Sequence, residues 1–286
     1  KIYKCRGNGV HLSGALSPNV LYNFIYDTNL DGTTGHNEGN LTYSNDVYDA
    51  KIIGNYFDGG LTAIGSMDYE FNGDSIIAFN TIRRYKTHGI DIYSTGNPLK
   101  NVKIFGNTFI GKHYDRLDES NWLPTLTNPI TEATGDAVNI RTGSYQSMTI
   151  STNHFINASL FAENVVGLGV SDNTFTEIDQ NYVVAPLRDK LIEIRNCKGS
   201  FSNNRVIGKN TSARTALVKI IDGTNLDVSS NYFESDKPIL STDSTSVSVK
   251  GGKLLGNITI TNKGKLTGAS VDGTVTVGNN GSDNTK

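Results

Sequence analysis

The sequence predicts an all-β solenoid, in which short parallel strands stack as successive coils around one core. A six-residue motif centred on Asn recurs along most of the chain, with most steps between 20 and 32 residues. The chain is also rich in the turn-forming residues Asn (32) and Gly (30), while 36% of its residues are hydrophobic. Disordered chains lack that apolar content, so these turns are expected to join strands that bury a core.

The repeated motif reads apolar, two variable residues, Asn, one variable residue, apolar. Each Asn is expected at a tight corner, where Asn tolerates the left-handed backbone conformation. Its amide can then hydrogen-bond to the Asn of the next coil, as in stacked Asn ladders. The copies predict roughly nine to ten coils. They centre on Asn23, Asn55, Asn80, Asn107, Asn153, Asn173, Asn204 and Asn231, with a weaker copy at Asn257 and a further candidate at Asn8.

A second pattern lies between the Asn motifs and alternates apolar and polar residues with a period of two. It occurs as GIDIY (89–93), AVNIR (137–141), LIEIR (191–195) and LVKII (217–221). This period is typical of strands, in which alternate side chains face the core and the outside. Past about residue 240 the aromatic residues disappear. The sequence therefore predicts a main domain over 1–255 and a thinner C-terminal coil with a tail over 256–286.

The Asn motifs over residues 20–260 resemble the right-handed parallel β-helix of the pectate-lyase-like superfamily. The Asn-, Ser- and Thr-rich composition is most similar to phage tailspike polysaccharide depolymerases. The resemblance implies a homotrimer on the virion surface, as a tail appendage, or a secreted extracellular protein. It also implies binding and cleavage of a cell-surface polysaccharide, such as a capsule or O-antigen, with no required cofactor.

Charge and hydropathy argue against several other classes of protein. The net charge of −2 argues against a nucleic-acid binder that depends on phosphate contacts. No run approaches 18 apolar residues, so membrane insertion is not expected. The first ten residues lack the apolar region of a signal peptide, and the chain is interpreted as a processed or trimmed piece.

The alternation in GIDIY places Asp91 on the outer face of its strand. Continuing the same phase through Asn139, we expect Glu163 in the same outward column, two coils later and about 9–10 Å away. Two carboxylates at that separation fit an inverting glycoside hydrolase, in which one protonates the glycosidic oxygen and the other activates water. Asp136 is a third catalytic candidate. The alternative interpretation is an ordinary solvated face of a strand.

The residues expected to contact substrate lie on the same outward face and in an insertion. The insertion, 111–136, lengthens one step between Asn motifs to 46 residues and is expected to wall a groove. The basic cluster 83–88 favours an alternative chemistry, a polysaccharide lyase that neutralises a uronic carboxylate. A non-catalytic β-helical adhesin or structural shaft is the other alternative. The predicted substrate-binding residues are Arg84, His88, Tyr93, Trp122, Arg141, Glu193 and Arg195.

The segment DTNLDGTTGHNE (27–38) matches the calcium-loop pattern D-x-[DN]-x-[DN]-G-x5-E. It resembles an EF-hand loop, and the resemblance implies Ca²⁺ ligands at Asp27, Asn29, Asp31 and Glu38. The loop departs from that family at Thr34, where an apolar residue is usual. The alternative is a turn stabilised by side-chain caps.

Overall fold

A computed structural model describes the following parts of the chain: residues 1–5, 7–26, 28, 39–44, 47–60, 62–66, 71–72, 74–85, 88–93, 101–111, 136–141, 146–177, 190–208, 216–221, 225–235, 240–242, 246–260, 265–278 and 282–284. These ranges contain no helix, and so none that could cross a membrane.

The described strands form three parallel sheets of 11 strands each, which the chain visits in turn. Sheet 1 contains β2 (Val10–Ser13), β5 (Gly39–Ser44), β9 (Thr62–Ser66), β13 (His88–Tyr93), β16 (Val138–Arg141), β19 (Leu160–Glu163), β22 (Lys190–Arg195), β25 (Ala216–Ile221), β28 (Leu240–Thr242), β31 (Ile258–Ile260) and β34 (Val275–Val277).

Sheet 2 contains β3 (Asn19–Leu21), β7 (Lys51–Ile53), β11 (Ile76–Ala78), β14 (Val102–Phe105), β17 (Met148–Ser151), β20 (Val166–Ser171), β23 (Lys198–Ser202), β26 (Asn225–Ser229), β29 (Ser246–Lys250), β32 (Lys265–Thr267) and β35 (Ser282–Asn284). A short extra pair, β6 (Val47–Tyr48) and β10 (Phe71–Asn72), lies between the strands of sheets 1 and 2.

Sheet 3 contains β1 (Ile2–Tyr3), β4 (Phe24–Tyr26), β8 (Tyr56–Asp58), β12 (Thr81–Arg83), β15 (Thr108–Ile110), β18 (His154–Ile156), β21 (Thr174–Glu177), β24 (Arg205–Gly208), β27 (Tyr232–Ser235), β30 (Lys253–Leu255) and β33 (Ser270–Asp272). Each strand pairs in parallel with its counterparts one coil before and after. The fold is therefore the predicted right-handed parallel β-helix, with 11 strands per sheet against the nine to ten coils expected from the Asn motif.

The core consists of columns of inward side chains that repeat from coil to coil. In sheet 3 the rings of Phe109, Phe155 and Phe175 stack with centroid separations of 4.7 and 4.2 Å. All three side chains are fully buried. No single coil could bury such a face alone, so stacking of coils supplies most of the hydrophobic stabilisation.

The predicted Asn ladder runs along the corner between sheets 2 and 3. The Oδ1 of Asn80 accepts hydrogen bonds from the backbone N and Nδ2 of Asn55, at 2.9 and 3.0 Å. The Nδ2 of Asn55 also donates to the carbonyl of Val20 at 2.8 Å. Seven such donations from Nδ2 to the next Oδ1 join eight residues into one ladder: Asn23, Asn55, Asn80, Asn107, Asn153, Asn173, Asn204 and Asn231.

Two details of the predicted ladder are wrong. The left-handed conformation belongs to the residue before each Asn, for example Phe79 (φ 55°) and Thr152 (φ 53°). The Asn itself instead receives and gives the hydrogen bonds that close the corner. Asn8 and Asn257 follow sheet 3 strands and precede sheet 1 strands, so they lie at a different corner and outside the ladder.

The described strands beyond residue 255 continue the same three sheets. Ile258 in β31 pairs with Val275 in β34, 17 residues later. The corresponding step in the middle of the chain, from Ile90 to Val138, takes 48 residues. The coils are thus shorter at this end, whereas a domain boundary between residues 255 and 256 stays a prediction.

Candidate functional site

The outer face of sheet 1 carries two parallel columns of side chains. We call them column 1 and column 2, and strand pairing fixes the members of each. Column 1 contains Thr42, Gly65, Asp91, Asn139, Phe161, Glu193 and Lys219. Column 2 lies two residues further along each strand and contains Tyr93, Arg141, Glu163, Arg195 and Ile221. The neighbouring pair, Ile140 with Ala162, puts Glu163 next to Arg141 when its register is continued by one residue.

The prediction that Glu163 shares a column with Asp91 is wrong. Asn139 pairs with Phe161, and Glu163 pairs with Arg195, so Phe161 occupies the position expected for Glu163. The Cα atoms of Asp91 and Glu163 are about 12 Å apart. This distance combines two steps of about 4.8 Å from strand to strand with two steps of about 3.3 Å along the strand. The two carboxylates therefore do not lie along one column, as the acid and base of the predicted inverting hydrolase were expected to do.

Asp91 lies on the outer side of β13 as predicted, yet it is 0% exposed. Asn139 Nδ2 donates to its Oδ1 at 2.7 Å. Arg141 donates from Nε to Oδ1 at 3.3 Å and from Nη2 to Oδ2 at 3.0 Å. Both carboxylate oxygens are therefore engaged, and Asp91 holds Arg141 in place. Because the carboxylate is buried, a substrate does not reach it.

The surroundings of Asp91 are fixed from both sides of the sheet. From the core, the hydroxyl of Tyr43 donates to the backbone carbonyl of Asp91 at 3.0 Å. On the outer side, Asn139 Nδ2 is also 3.5 Å from Nε2 of His88. The amide orientation of Asn139 follows from Asp91, since a carboxylate accepts only from the NH₂ group. Asn139 Oδ1 is buried and has no partner among the described residues.

Glu193 and Arg195 form a second ion pair between columns 1 and 2, although here both residues lie on one strand, β22. Arg195 Nε lies 2.5 Å from Glu193 Oε1, and the guanidinium lies 5.9 Å from the centroid of the Phe161 ring. The side chain of Glu193 is 3% exposed and that of Arg195 is 38% exposed. The corresponding values for Asp91 and Arg141 are 0% and 39%. Each arginine is thus presented to solvent by a buried carboxylate.

Arg141, Glu163 and Arg195 occupy successive positions of column 2, and we call these three residues the arginine ridge. Glu163 is partly exposed, and no described residue forms an ion pair with it. Strand spacing puts neighbouring members about 4.8 Å apart at the backbone. The ridge therefore places one partly exposed carboxylate residue between the backbone positions of two arginines whose side chains are anchored elsewhere, Arg141 at Asp91 and Arg195 at Glu193.

Asp136 is 2% exposed and lies just before β16, outside both columns. Its Oδ1 accepts a hydrogen bond from Ser159 Oγ at 2.9 Å. Burial, with a smaller contribution from the charge of Asp136, raises the pKa of Tyr85 far above its ordinary value of 10. The Tyr85 hydroxyl has no hydrogen-bond partner among the described residues. Asp136 therefore belongs to a separate buried polar group.

The predicted basic cluster is divided between two sheets. Arg84 follows β12 of sheet 3, and its Nε lies 2.5 Å from Asp58 Oδ1. Arg83 Nε lies 3.5 Å from the same oxygen. Both guanidinium groups are thus bound by Asp58, a residue that the sequence analysis missed, whereas His88 begins β13 of sheet 1.

Other predicted site residues lie outside the described part of the chain. They are Trp122, the side chain of Tyr93 and the proposed calcium ligands Asp27, Asn29, Asp31 and Glu38. Within the described part, no group of three His, Cys, Asp or Glu residues is arranged to hold a metal ion.

A surface that the sequence analysis missed lies at the corner between sheets 2 and 3. In the first coils this corner exposes Tyr22 (77%), Phe24 (53%) and Phe79 (62%). In later coils the positions equivalent to Tyr22 and Phe79 hold small or polar residues, namely Thr152, Asp172, Asn203 and Ser230. We call the exposed aromatic part the aromatic corner.

Comparison of the chain with models of protein families, with curated proteins and with solved structures found no match. The parallel β-helix is therefore established by the strand pairing alone, and the relation to tailspikes remains a prediction.

Proposed function

We propose that this protein binds a cell-surface polysaccharide on the outer face of sheet 1 and cleaves it by hydrolysis. The arginine ridge carries the proposal, because along column 2 the partly exposed Glu163 lies between two arginines, and buried carboxylates hold both guanidinium groups in place. A guanidinium has five N–H donors; Asp91 engages two of those of Arg141, and Glu193 engages one of those of Arg195.

Anchoring matters for the affinity of such a site. A free arginine side chain loses rotamer freedom when it binds a ligand, which weakens binding. Asp91 and Glu193 already restrict Arg141 and Arg195, so a bound sugar meets donors whose directions are largely set. The ridge runs along the axis of the coil, which suits an extended chain of sugars.

In this proposal Glu163 is the catalytic residue: its carboxylate takes a proton from the water that attacks the anomeric carbon, and the leaving glycosidic oxygen takes its proton from solvent. Glu163 is the only member of the ridge with a carboxylate, and no described residue neutralises it in an ion pair. The alternative of elimination receives less support, because Asp58 on sheet 3 binds both Arg83 and Arg84.

Binding without cleavage, as in an adhesin or a structural shaft, is the second candidate. One observation favours it: Asp91 and Glu193 are closed to solvent and engaged by arginines, so neither is available as the second carboxylate of a hydrolase.

Assembly and location also remain proposals. The resemblance to tailspikes implies a homotrimer on a virion tail or in the extracellular space. The aromatic corner supports association between copies of the chain, since exposed aromatic residues are enriched at protein interfaces.

The proposal is tested by incubating the protein with a panel of capsule, O-antigen and other surface polysaccharides and weighing the products. Hydrolysis adds water to each new chain end, whereas elimination leaves a double bond that absorbs ultraviolet light. We expect hydrolysis by the wild type and a loss of about 100-fold or more in Glu163→Gln. Asp172→Asn is the matched control, an exposed carboxylate at another corner, and should keep full activity.

The other outcomes are also informative. Binding without any cleavage by the wild type would favour the second candidate. If no polysaccharide of the panel binds, the proposed function is wrong.

A further inference from the structure

The charges of the proposed binding face balance. Columns 1 and 2 carry three carboxylates, Asp91, Glu163 and Glu193, and three cations, Arg141, Arg195 and Lys219, among the described residues. Lys219 is partly exposed and directly opposite Glu193 on the neighbouring strand. A face that selects anions usually carries an excess of positive charge, which concentrates the ligand near the surface. Among the described residues, columns 1 and 2 have no such excess.

Both arginines of the ridge already have an anionic partner that stays in place. Asp91 engages Nε and Nη2 of Arg141, and Glu193 engages Nε of Arg195. Neither carboxylate can give up its arginine without leaving a buried charge unpaired, which is strongly unfavourable. If an acidic group of the ligand bound either guanidinium, it would therefore lie close to Asp91 or Glu193, whose carboxylate carries charge of the same sign.

Glu163 adds a second obstacle to acidic ligands. It lies between Arg141 and Arg195 along column 2, so an anion that extended from one arginine to the other would pass over Glu163. Like charges at close range repel, and partial burial weakens the screening by salt. The same carboxylate can accept hydrogen bonds from sugar hydroxyls, and the guanidinium groups of the ridge are donors by nature.

We infer that the ridge binds an uncharged polysaccharide, built from neutral hexoses or N-acetylhexosamines, in preference to one that carries uronic, sialic or sulfate groups. The inference rests on the proposed function and narrows it to a class of substrate. Arg141 and Arg195 are the donors to hydroxyl and acetamido oxygens, and Glu163 is the acceptor from hydroxyl groups.

The first test compares neutral and acidic surface polysaccharides by titration calorimetry at 50 mM and 500 mM NaCl. We expect measurable binding of a neutral polymer, with a Kd that changes less than about 2-fold between the two salt concentrations, because screening acts on charge pairs. Tighter binding of acidic polymers, weakened by salt, would overturn the inference while leaving the proposed function in place. Binding of neither class would overturn both.

The second test removes the central charge of the ridge. Glu163→Gln gives the face a net positive charge, so acidic polymers should gain affinity by roughly 2- to 5-fold. Neutral polymers should lose some affinity, because the amide of Gln keeps only one of the two acceptor oxygens. The control Asp172→Asn makes the same change of charge at the corner between sheets 2 and 3 and should leave both affinities unchanged. An equal gain for acidic polymers in both variants would contradict a role for the ridge.

Discussion

Arg141 Nη2 lies 3.0 Å from Oδ2 of Asp91, so an ion pair joins two coils that are 50 residues apart along the chain. Asp91 is on the outer face of its sheet, yet its side chain is 0% exposed. The pair therefore differs from an ordinary surface ion pair, whose contribution to stability is small. It also fixes the first guanidinium of the arginine ridge.

Loss of the arginine from this pair should destabilise the fold. We expect Arg141→Gln to lower the free energy of unfolding by about 3 kcal/mol, because the charge of Asp91 stays buried without its cation. Urea denaturation followed by circular dichroism measures the change. The double variant with Asp91→Asn should lose less than the sum of the two single variants, since the pair is broken only once.

A pair that is exposed on both sides provides the control. Lys250 Nζ lies 3.6 Å from Asp227 Oδ1, and the two side chains are 57% and 47% exposed. Lys250→Gln should change the free energy of unfolding by less than about 0.5 kcal/mol. Equal effects of the two substitutions would contradict a special role for burial at Asp91.

The Asn ladder should be most sensitive in its middle. In Asn107→Ala, the backbone N and Nδ2 of Asn80 lose their acceptor, Asn107 Oδ1, at 2.9 and 3.0 Å. Because these groups are buried, we expect a loss of at least about 2 kcal/mol in the free energy of unfolding by urea.

The matched substitution at the end of the ladder is Asn23→Ala. Asn23 is partly exposed, and it donates to Asn55 without accepting from a preceding ladder Asn. Its loss should cost about 1 kcal/mol or less. A loss of similar size at Asn107 would show that the ladder contributes little beyond the backbone pairing.

The sequence predicted the ladder and the inward columns because both repeat locally, in spacing and in period. It did not predict which residue takes the left-handed conformation, although Gly54 and Gly106, each directly before a ladder Asn, carried that signal. At Tyr22 and Phe79, which occupy the equivalent position, the sequence gives no such indication, because bulky residues rarely adopt positive φ.

The register of column 1 was not predictable from the sequence either. In LFAE (160–163) the apolar Phe161 resembles a core residue, although it faces outward. The polar Glu163 is therefore expected at the position in column 1 that Phe161 occupies. Only the pairing of Asn139 with Phe161 settles the phase. Phe161 is buried on the outer face and lies under the guanidinium of Arg195, a contact that no local pattern encodes.

The corner position itself predicts a stabilising substitution. Thr152 has a φ of 53° and is exposed, and its hydroxyl bonds only to the neighbouring carbonyl of Ser151 among the described residues. Asn tolerates this conformation better than a β-branched residue. We expect Thr152→Asn to raise the free energy of unfolding by about 0.5–1 kcal/mol.

Its control lies on the adjoining strand. Thr149 is in β17 with extended backbone, where Asn is a poorer strand residue than Thr. Thr149→Asn should therefore give no gain in stability under the same conditions. A gain at both positions would mean that the left-handed conformation of residue 152 is not the cause.

The two thiols should differ sharply in reactivity. Burial, the largest cause, raises the pKa of Cys197 from its ordinary value of 9.0 to about 12. Its Sγ lies 3.0 Å from the carbonyl of Arg195 and is fully buried, whereas Cys5 is partly exposed. At pH 8 only about one Cys197 in 10⁴ is then a thiolate, the reactive form. A disulfide reagent should label one thiol rapidly in the folded protein, at Cys5, and the second only after urea unfolds it.

The same shift gives a pH dependence with a definite sign. Between about pH 9 and 12 the unfolded chain loses the Cys197 proton while the folded chain keeps it, so the contribution of Cys197 to stability falls as the pH rises through that range. In Cys197→Ala the free energy of unfolding should decline less steeply over that range than in the wild type.

The labelling experiment has its own contradicting outcome. Equal labelling rates of both thiols at pH 8 would show that the coil around β22 and β23 opens to solvent in the native protein.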